Sequence, residues 1–186
     1  MKKLILSAAM IAGLGVFAAN QAMAADGTIS FNGEISAVTC TIHGGTPGNN
    51  SGDFPVDLGR VGASAFDKGV GTAADAIPYS IYVGAPGEAG CADGTVVSVH
   101  YEPTSPEIDR TTGNLNVTGG ATGVQIQLLN GGDKSVINLA NAPDSTPVTV
   151  AGNQAQLPFY AQYISTAASV GAGIANSSVL YSVKYN

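Results

Sequence analysis

The sequence predicts an all-β domain built as a two-sheet sandwich. Three observations lead to this: short segments in which apolar and polar residues alternate, dense turn signals between them, and almost no helical periodicity after residue 24. The 25 glycines and 9 prolines divide the chain into pieces of strand length. Residues 63–76 are the one stretch expected to hold a short helical turn.

Each predicted strand carries its apolar residues on one face, because successive side chains of a strand point to opposite sides of the sheet. The alternating sets are Ile29, Phe31 and Ile35; Phe54, Val56 and Leu58; Ile77, Tyr79, Ile81 and Val83; Val97, Val99 and Tyr101; Val124, Ile126 and Leu128; Phe159, Ala161 and Tyr163; and Val179, Tyr181, Val183 and Tyr185. Many short strands with regular turns are typical of an immunoglobulin-like sandwich, although the tryptophan of antibody domains is missing.

The first 24 residues have the layout of a secretory signal peptide. Lys2 and Lys3 form a basic start, an apolar run covers residues 4–19, and Ala22-Met23-Ala24 is an A-x-A cleavage site. The apolar run is too short and too poorly flanked for a transmembrane anchor. A buried N-terminal helix is the alternative. We expect residues 1–24 to be removed during export, which leaves a mature chain of residues 25–186.

The charge of the chain argues against nucleic-acid partners. Loss of Lys2 and Lys3 would take the formal net charge from −6 to −8. An acidic domain repels the phosphate backbone. No Gly-x-Ser-x-Gly nucleophile elbow and no phosphate-binding loop appears, so we predict no catalytic residues and no enzymatic activity.

Two cysteines, Cys40 and Cys91, follow the expected cleavage site. In an oxidising compartment a lone pair usually forms a disulfide, and the alternatives are free structural thiols or half of a metal site. The metal alternative is weak, because His43 and His100 supply none of the usual ligand spacings. The sequence therefore predicts a Cys40–Cys91 disulfide, with no metal and no cofactor.

The two ends of the expected mature chain carry the functional signal. Residues 179–186 form an alternating strand after which the sequence offers no further strand to cover its edge. An exposed apolar edge is an aggregation hazard that proteins normally blunt, and Lys184 is the only evident blunting residue. Residues 27–35 form an alternating segment that begins almost at the expected cleavage site. One end resembles a strand without a partner, and the other a spare strand.

The sequence resembles the pilins of chaperone–usher fimbriae, close to the major subunits of the type 1 group. The matching residues lie in order along nearly the whole mature chain: 27–35 followed by Cys40, Val56-Asp57-Leu58-Gly59 followed by Cys91, 123–126, 157–163 and the penultimate Tyr185. Each match is weak alone, but their order and spacing together are specific.

The resemblance implies an incomplete immunoglobulin-like sandwich that lacks its last strand and receives a donor strand from another subunit. On this chain it implies a donor extension at residues 25–36 and a pilin domain at residues 37–186. The groove-facing donor residues would be Gly27, Ile29, Phe31, Gly33 and Ile35. A periplasmic chaperone would read the C-terminal strand through Val179, Tyr181, Val183 and Tyr185. An outer-membrane usher would then direct assembly into a cell-surface fimbrium that supports adhesion.

Two features leave alternatives open. Only Ala25 and Asp26 precede Gly27 in the expected mature chain. Many subunits of the family it resembles carry a longer extension with a bulkier residue at this point, so the resemblance leaves the first anchoring position and the cleavage site open. A minor or adaptor subunit fits the same pattern. A self-contained secreted sandwich that binds carbohydrate is the rival from another class. It would need surface aromatics, and most tyrosines fall inside the strand patterns.

Overall fold

The computed structural model describes residues 38, 40–45, 51–74 and 76–186. The expected signal peptide and the expected donor segment lie outside these residues. Within them the fold is all-β, with one short 3₁₀ helix at Ala63–Phe66, where a helical turn was predicted. The strands are β1 (Ile42–Gly44), β2 (Ile77–Gly84), β3 (Val96–Tyr101), β4 (Leu115–Asn116), β5 (Val124–Asn130), β6 (Val148–Thr149), β7 (Gln154–Ser165) and β8 (Tyr181–Tyr185).

The strands form two antiparallel sheets, which confirms the predicted sandwich. The larger sheet has the order β1-β2-β7-β5-β4, and the smaller has the order β6-β3-β8. The pairing of β2 with β7 runs from Ile77 opposite Ala161 to Gly84 opposite Gln154. β3 pairs with β8 from Val97 opposite Tyr185 to Tyr101 opposite Tyr181. β8 therefore holds an edge of the smaller sheet.

The core lies between the sheets and is made by the apolar faces that the alternation predicted. Burying these faces is the main favourable term in folding, at about 25 cal/mol per Å² of apolar surface. Val83, Val97 and Val99 are fully buried. The same cluster includes Ile81, Tyr101, Ile126, Leu128, Leu157, Phe159 and Ala161.

One predicted strand is wrong. Phe54, Val56 and Leu58 are half-buried and alternate with exposed residues as predicted, but residues 52–59 form no strand pairing. Pro55 has no backbone N–H to give to a ladder, which disfavours pairing at the centre of the segment. The segment is an extended wall at the side of the core.

The predicted disulfide between Cys40 and Cys91 is present. It joins the chain just before β1 to the turn between β2 and β3, across a sequence separation of 51 residues. Thr41 strengthens the same corner, because its backbone N–H and its hydroxyl both donate to the Glu88 carboxylate at 2.7 Å. These two hydrogen bonds lower the pKa of Glu88.

Loss of this disulfide should destabilise the domain strongly. Closing a loop of this length removes denatured-chain entropy worth about 4 kcal/mol in the simple chain model. We expect the double variant Cys40→Ser and Cys91→Ser, measured by denaturant unfolding, to lose stability of that order. The reduced wild-type chain should match the variant. An unchanged unfolding midpoint in both would contradict the prediction.

Gly84 ends β2 in a conformation that only glycine adopts easily, with φ of +80°. A Cβ atom there would lie 2.2 Å from the Asn153 carbonyl oxygen and 2.5 Å from Cys91 Sγ. Gly87 is the matched control, because its φ is +82° and a Cβ atom would meet nothing within 4 Å. The two positions therefore separate backbone strain from steric overlap.

We expect Gly87→Ala to cost about 1–2 kcal/mol of unfolding free energy, because an L-residue is strained at positive φ. Gly84→Ala should cost a further ~1–3 kcal/mol, because the added methyl overpacks the disulfide corner. Denaturant unfolding of the two oxidised variants measures the difference. If both variants lost the same unfolding free energy, the close packing around Gly84 would contribute nothing to stability.

Candidate functional site

A groove of about 730 Å³ opens along one side of the sandwich between two extended segments. We call residues 52–59 the first wall and residues 175–181 the second wall. The floor belongs to the core and comes from both sheets. It is formed by Tyr79, Ile81, Tyr101, Leu115, Ile126, Leu128, Ala161 and Tyr163. A cleft that reaches the core in this way can accept a row of apolar side chains.

The first wall is fixed by the packing of one aromatic ring. Phe54 lies directly on the backbone of Gly44 in β1, where a Cβ atom would come within 2.0 Å of the ring. The same ring contacts Tyr79 on the floor and Tyr181 on the opposite wall, with ring centroids 6.2 and 6.3 Å apart. A glycine at position 44 is therefore required for the wall to lie where it does.

The second wall leads into β8, whose outer edge no described strand covers. Leu180 accepts a hydrogen bond from Glu102, and Asn186 donates one to Val96, so the even-numbered residues direct their backbone groups toward β3. Alternate residues of a strand point their backbone groups in opposite directions. Tyr181, Val183 and Tyr185 therefore direct their N–H and C=O groups away from β3, toward the open edge.

Tyrosine hydroxyls tie the groove together. Tyr181 donates to the Gly52 carbonyl at 2.6 Å, which links the second wall to the first. Tyr163 on the floor donates to the Ala175 carbonyl of the second wall at 3.0 Å. At the base, the Tyr79 and Tyr101 hydroxyls lie 2.9 Å apart. Burial raises the pKa of all four phenols, so each remains a neutral hydrogen-bonding group near pH 7.

The residues predicted to be read by a chaperone fall in two groups. Val179 and Tyr181 line the groove. Val183 and Tyr185 are half-buried and pack against the core farther along β8, beyond the groove lining. The Tyr185 hydroxyl accepts a hydrogen bond from the Cys40 backbone, which joins the end of β8 to the disulfide corner. The predicted donor residues lie outside the described part of the chain.

Sequence reasoning missed the role of the first wall. Phe54, Val56 and Leu58 were predicted as a core strand, yet they form the side of the groove opposite β8. Pro55, in the middle of the alternation, was the available signal, since proline within a strand pattern argues against a paired central strand.

In the part of the chain that the structure describes, no group of three or more His, Cys, Asp or Glu residues is placed to hold a metal ion. Among the same residues, no helix is long and apolar enough to cross a membrane.

Comparisons with known proteins identify the family. The family model described as fimbrial protein matches residues 29–186. The chain is 37% identical over 175 residues to the major fimbrial subunit SMF-1 of Stenotrophomonas maltophilia, covering 89% of this chain and 95% of the relative. It is 33% identical over 180 residues to the F17 fimbrial protein of Escherichia coli, covering 92% and 96%.

A solved structure of a chaperone–usher pilus supports the same fold. One of its chains matches with a TM-score of 0.57 at 19% identity, covering 87% of this chain and 96% of that one. The family match extends over most of the sequence, and both relatives are aligned over nearly their whole length. The chain therefore belongs to the fimbrial protein family and is a structural subunit of a fimbrium.

Proposed function

We propose that this subunit polymerises by donor-strand exchange, with residues 25–36 of one copy filling the groove of the next. The observation that carries the proposal is the groove beside β8, whose edge has a row of backbone groups directed away from β3. Adding a strand to a sheet edge supplies backbone hydrogen bonds, and alternate side chains supply specificity. Chaperone–pilin complementation is a known example of this mode.

The donor segment has the pattern that such a groove accepts. Ile29, Phe31 and Ile35 fall on one face of a strand, and Gly27 and Gly33 on the same face add no bulk. Each large side chain that leaves water for an apolar floor contributes about 1.5–3 kcal/mol. Three such side chains and a new backbone ladder would bind neighbouring subunits firmly.

The open edge also supports a requirement for help during export. A strand edge with half-buried apolar side chains would pair with any other exposed strand, and this promotes aggregation. A periplasmic chaperone that lends a temporary strand along Val179, Tyr181, Val183 and Tyr185 would prevent it. An outer-membrane usher would then exchange that strand for the donor segment of the next subunit. In this scheme the protein passes through the periplasm to the cell-surface fimbrium, where it supports adhesion.

The groove can be tested with a full-length acceptor that cannot donate. The mature chain with Phe31→Asp keeps its own groove but should not enter another. A peptide of residues 25–39 should raise its melting temperature by about 5–10 °C at a hundredfold excess over Kd, because ligand binding at that ratio adds about 2.7 kcal/mol. The measurement is a thermal melt followed by circular dichroism.

The matched control is the same peptide with Phe31→Asp, which should leave the melting temperature unchanged. The chain with Phe31→Asp should also fail to form polymers by size-exclusion chromatography, whereas the wild-type mature chain should form them. An acceptor that is indifferent to both peptides would contradict donor-strand exchange and favour a self-contained secreted sandwich.

Export can be tested by intact mass. If residues 1–24 are a signal peptide, protein recovered from the periplasm or from fimbriae should begin at Ala25. Replacing Ala22 and Ala24 with leucine should block cleavage, because the A-x-A site requires small residues. A recovered chain that retains Met1 would contradict the assignment, and a start at another residue would shift the donor segment.

A further inference from the structure

The groove has a negative rim on one side. Asp53 and Asp57 are the only charged residues among the described groove-lining residues, and both belong to the first wall. They alternate with the inward-facing Phe54, Val56 and Leu58, and both are exposed. The second wall, residues 175–181, contributes no charged side chain to offset them.

Both carboxylates act electrostatically on tyrosines that tie the groove together. Asp57 Oδ1 accepts the Gly59 backbone N–H at 2.8 Å, which fixes the side chain at the rim. Its charge reaches Tyr163, whose hydroxyl bonds to the second wall, and adds to burial in raising the pKa of that phenol. Burial is the larger cause of the raised pKa of Tyr181, and the charge of Asp53 adds to it. The Tyr181 hydroxyl is the group that links the two walls.

The donor segment of this chain is also acidic. Residues 25–36 contain Asp26 and Glu34 and no lysine or arginine. Successive side chains of a strand point to opposite faces, and Asp26 and Glu34 lie an odd number of residues from Phe31. A strand that directs Phe31 into the groove would therefore carry both acids on its outer face. Outer side chains of neighbouring strands lie side by side, and like charges placed there repel. A donor strand from another copy therefore brings carboxylates to a rim that already has two.

We propose that Asp53 and Asp57 set the charge specificity of the groove: they slow entry of the acidic donor strand and favour a strand with lysine or arginine on its outer face. This inference rests on the proposed function. Rim charges act mainly on association rates and on their salt dependence, while buried contacts determine how long a complex lasts. A temporary basic strand would thus occupy the groove quickly, and premature capture of another copy's donor would be slowed.

The test measures how fast a labelled peptide binds the mature chain carrying Phe31→Asp. With the end-blocked peptide of residues 25–39, the association rate should rise roughly threefold when salt increases from about 0.01 to 0.3 M, because screening shortens the Debye length from about 30 Å to below 10 Å. The same peptide with both Asp26→Lys and Glu34→Lys has a net charge of +2 instead of −2. It should bind faster at low salt, and its rate should fall as salt is added.

Two pairs of substitutions separate the rim from the total charge of the domain. Asp53→Asn with Asp57→Asn should remove most of the salt dependence, and asparagine can still accept the Gly59 N–H. Asp67→Asn with Glu107→Gln changes the net charge equally, at one exposed and one half-buried residue, neither of which lines the groove. This control pair should leave the salt dependence in place.

The outcomes are distinguishable. If the wild-type peptide binds at high salt but the rim pair and the control pair behave alike, charge specificity at the rim is wrong and donor-strand exchange stands. If all rates are independent of salt, the rim proposal also fails. If no peptide binds at any salt concentration, both the proposed function and this inference are wrong.

Discussion

β8 has backbone hydrogen-bonding groups on both sides but a described neighbouring strand on only one. The functional geometry depends on this imbalance. The N–H and C=O groups of Tyr181, Val183 and Tyr185 are directed away from β3, along an edge that continues from the groove at Tyr181. Groups of this kind need a partner once water is excluded. In the proposed assembly, a strand supplied by another molecule would satisfy these groups and cover the apolar floor in the same step.

An aromatic network connects the groove with the centre of the sandwich. Phe54 on the first wall contacts Tyr79, whose ring stacks on Phe159 at 5.3 Å in the core. Tyr101 also contacts Phe159, edge-on, with ring centroids 6.0 Å apart. Because protein interiors are close-packed and transmit strain, a strand that displaces Phe54 or Tyr181 would also disturb the packing of the core residues behind them. The packing thus links occupancy of the groove to the stability of the whole fold.

Much of the fold could be predicted because strand alternation records which face is buried. Ile77 to Val83 and Val97 to Tyr101 became β2 and β3, and the two cysteines came together. The strands β4 and β6 could not be predicted, because two residues are too few to show an alternation of apolar and polar side chains. The Asp109 carboxylate accepts local backbone N–H bonds from Thr111 and Thr112 and a bond from the side-chain amide of Gln125 in β5. The bond from Gln125 depends on a tertiary contact that no local pattern encodes.

Hydrogen exchange of the β8 backbone amides, compared between the monomeric mature chain carrying Phe31→Asp and assembled wild-type fibres, tests the central claim most directly. The open-edge geometry predicts fast exchange at Tyr181, Val183 and Tyr185 in the monomer and strong protection in the fibre. Ser182 and Lys184 face β3 and should be protected in both states. Equal protection of all five amides in the monomer, unchanged on assembly, would contradict a groove that another subunit's strand completes.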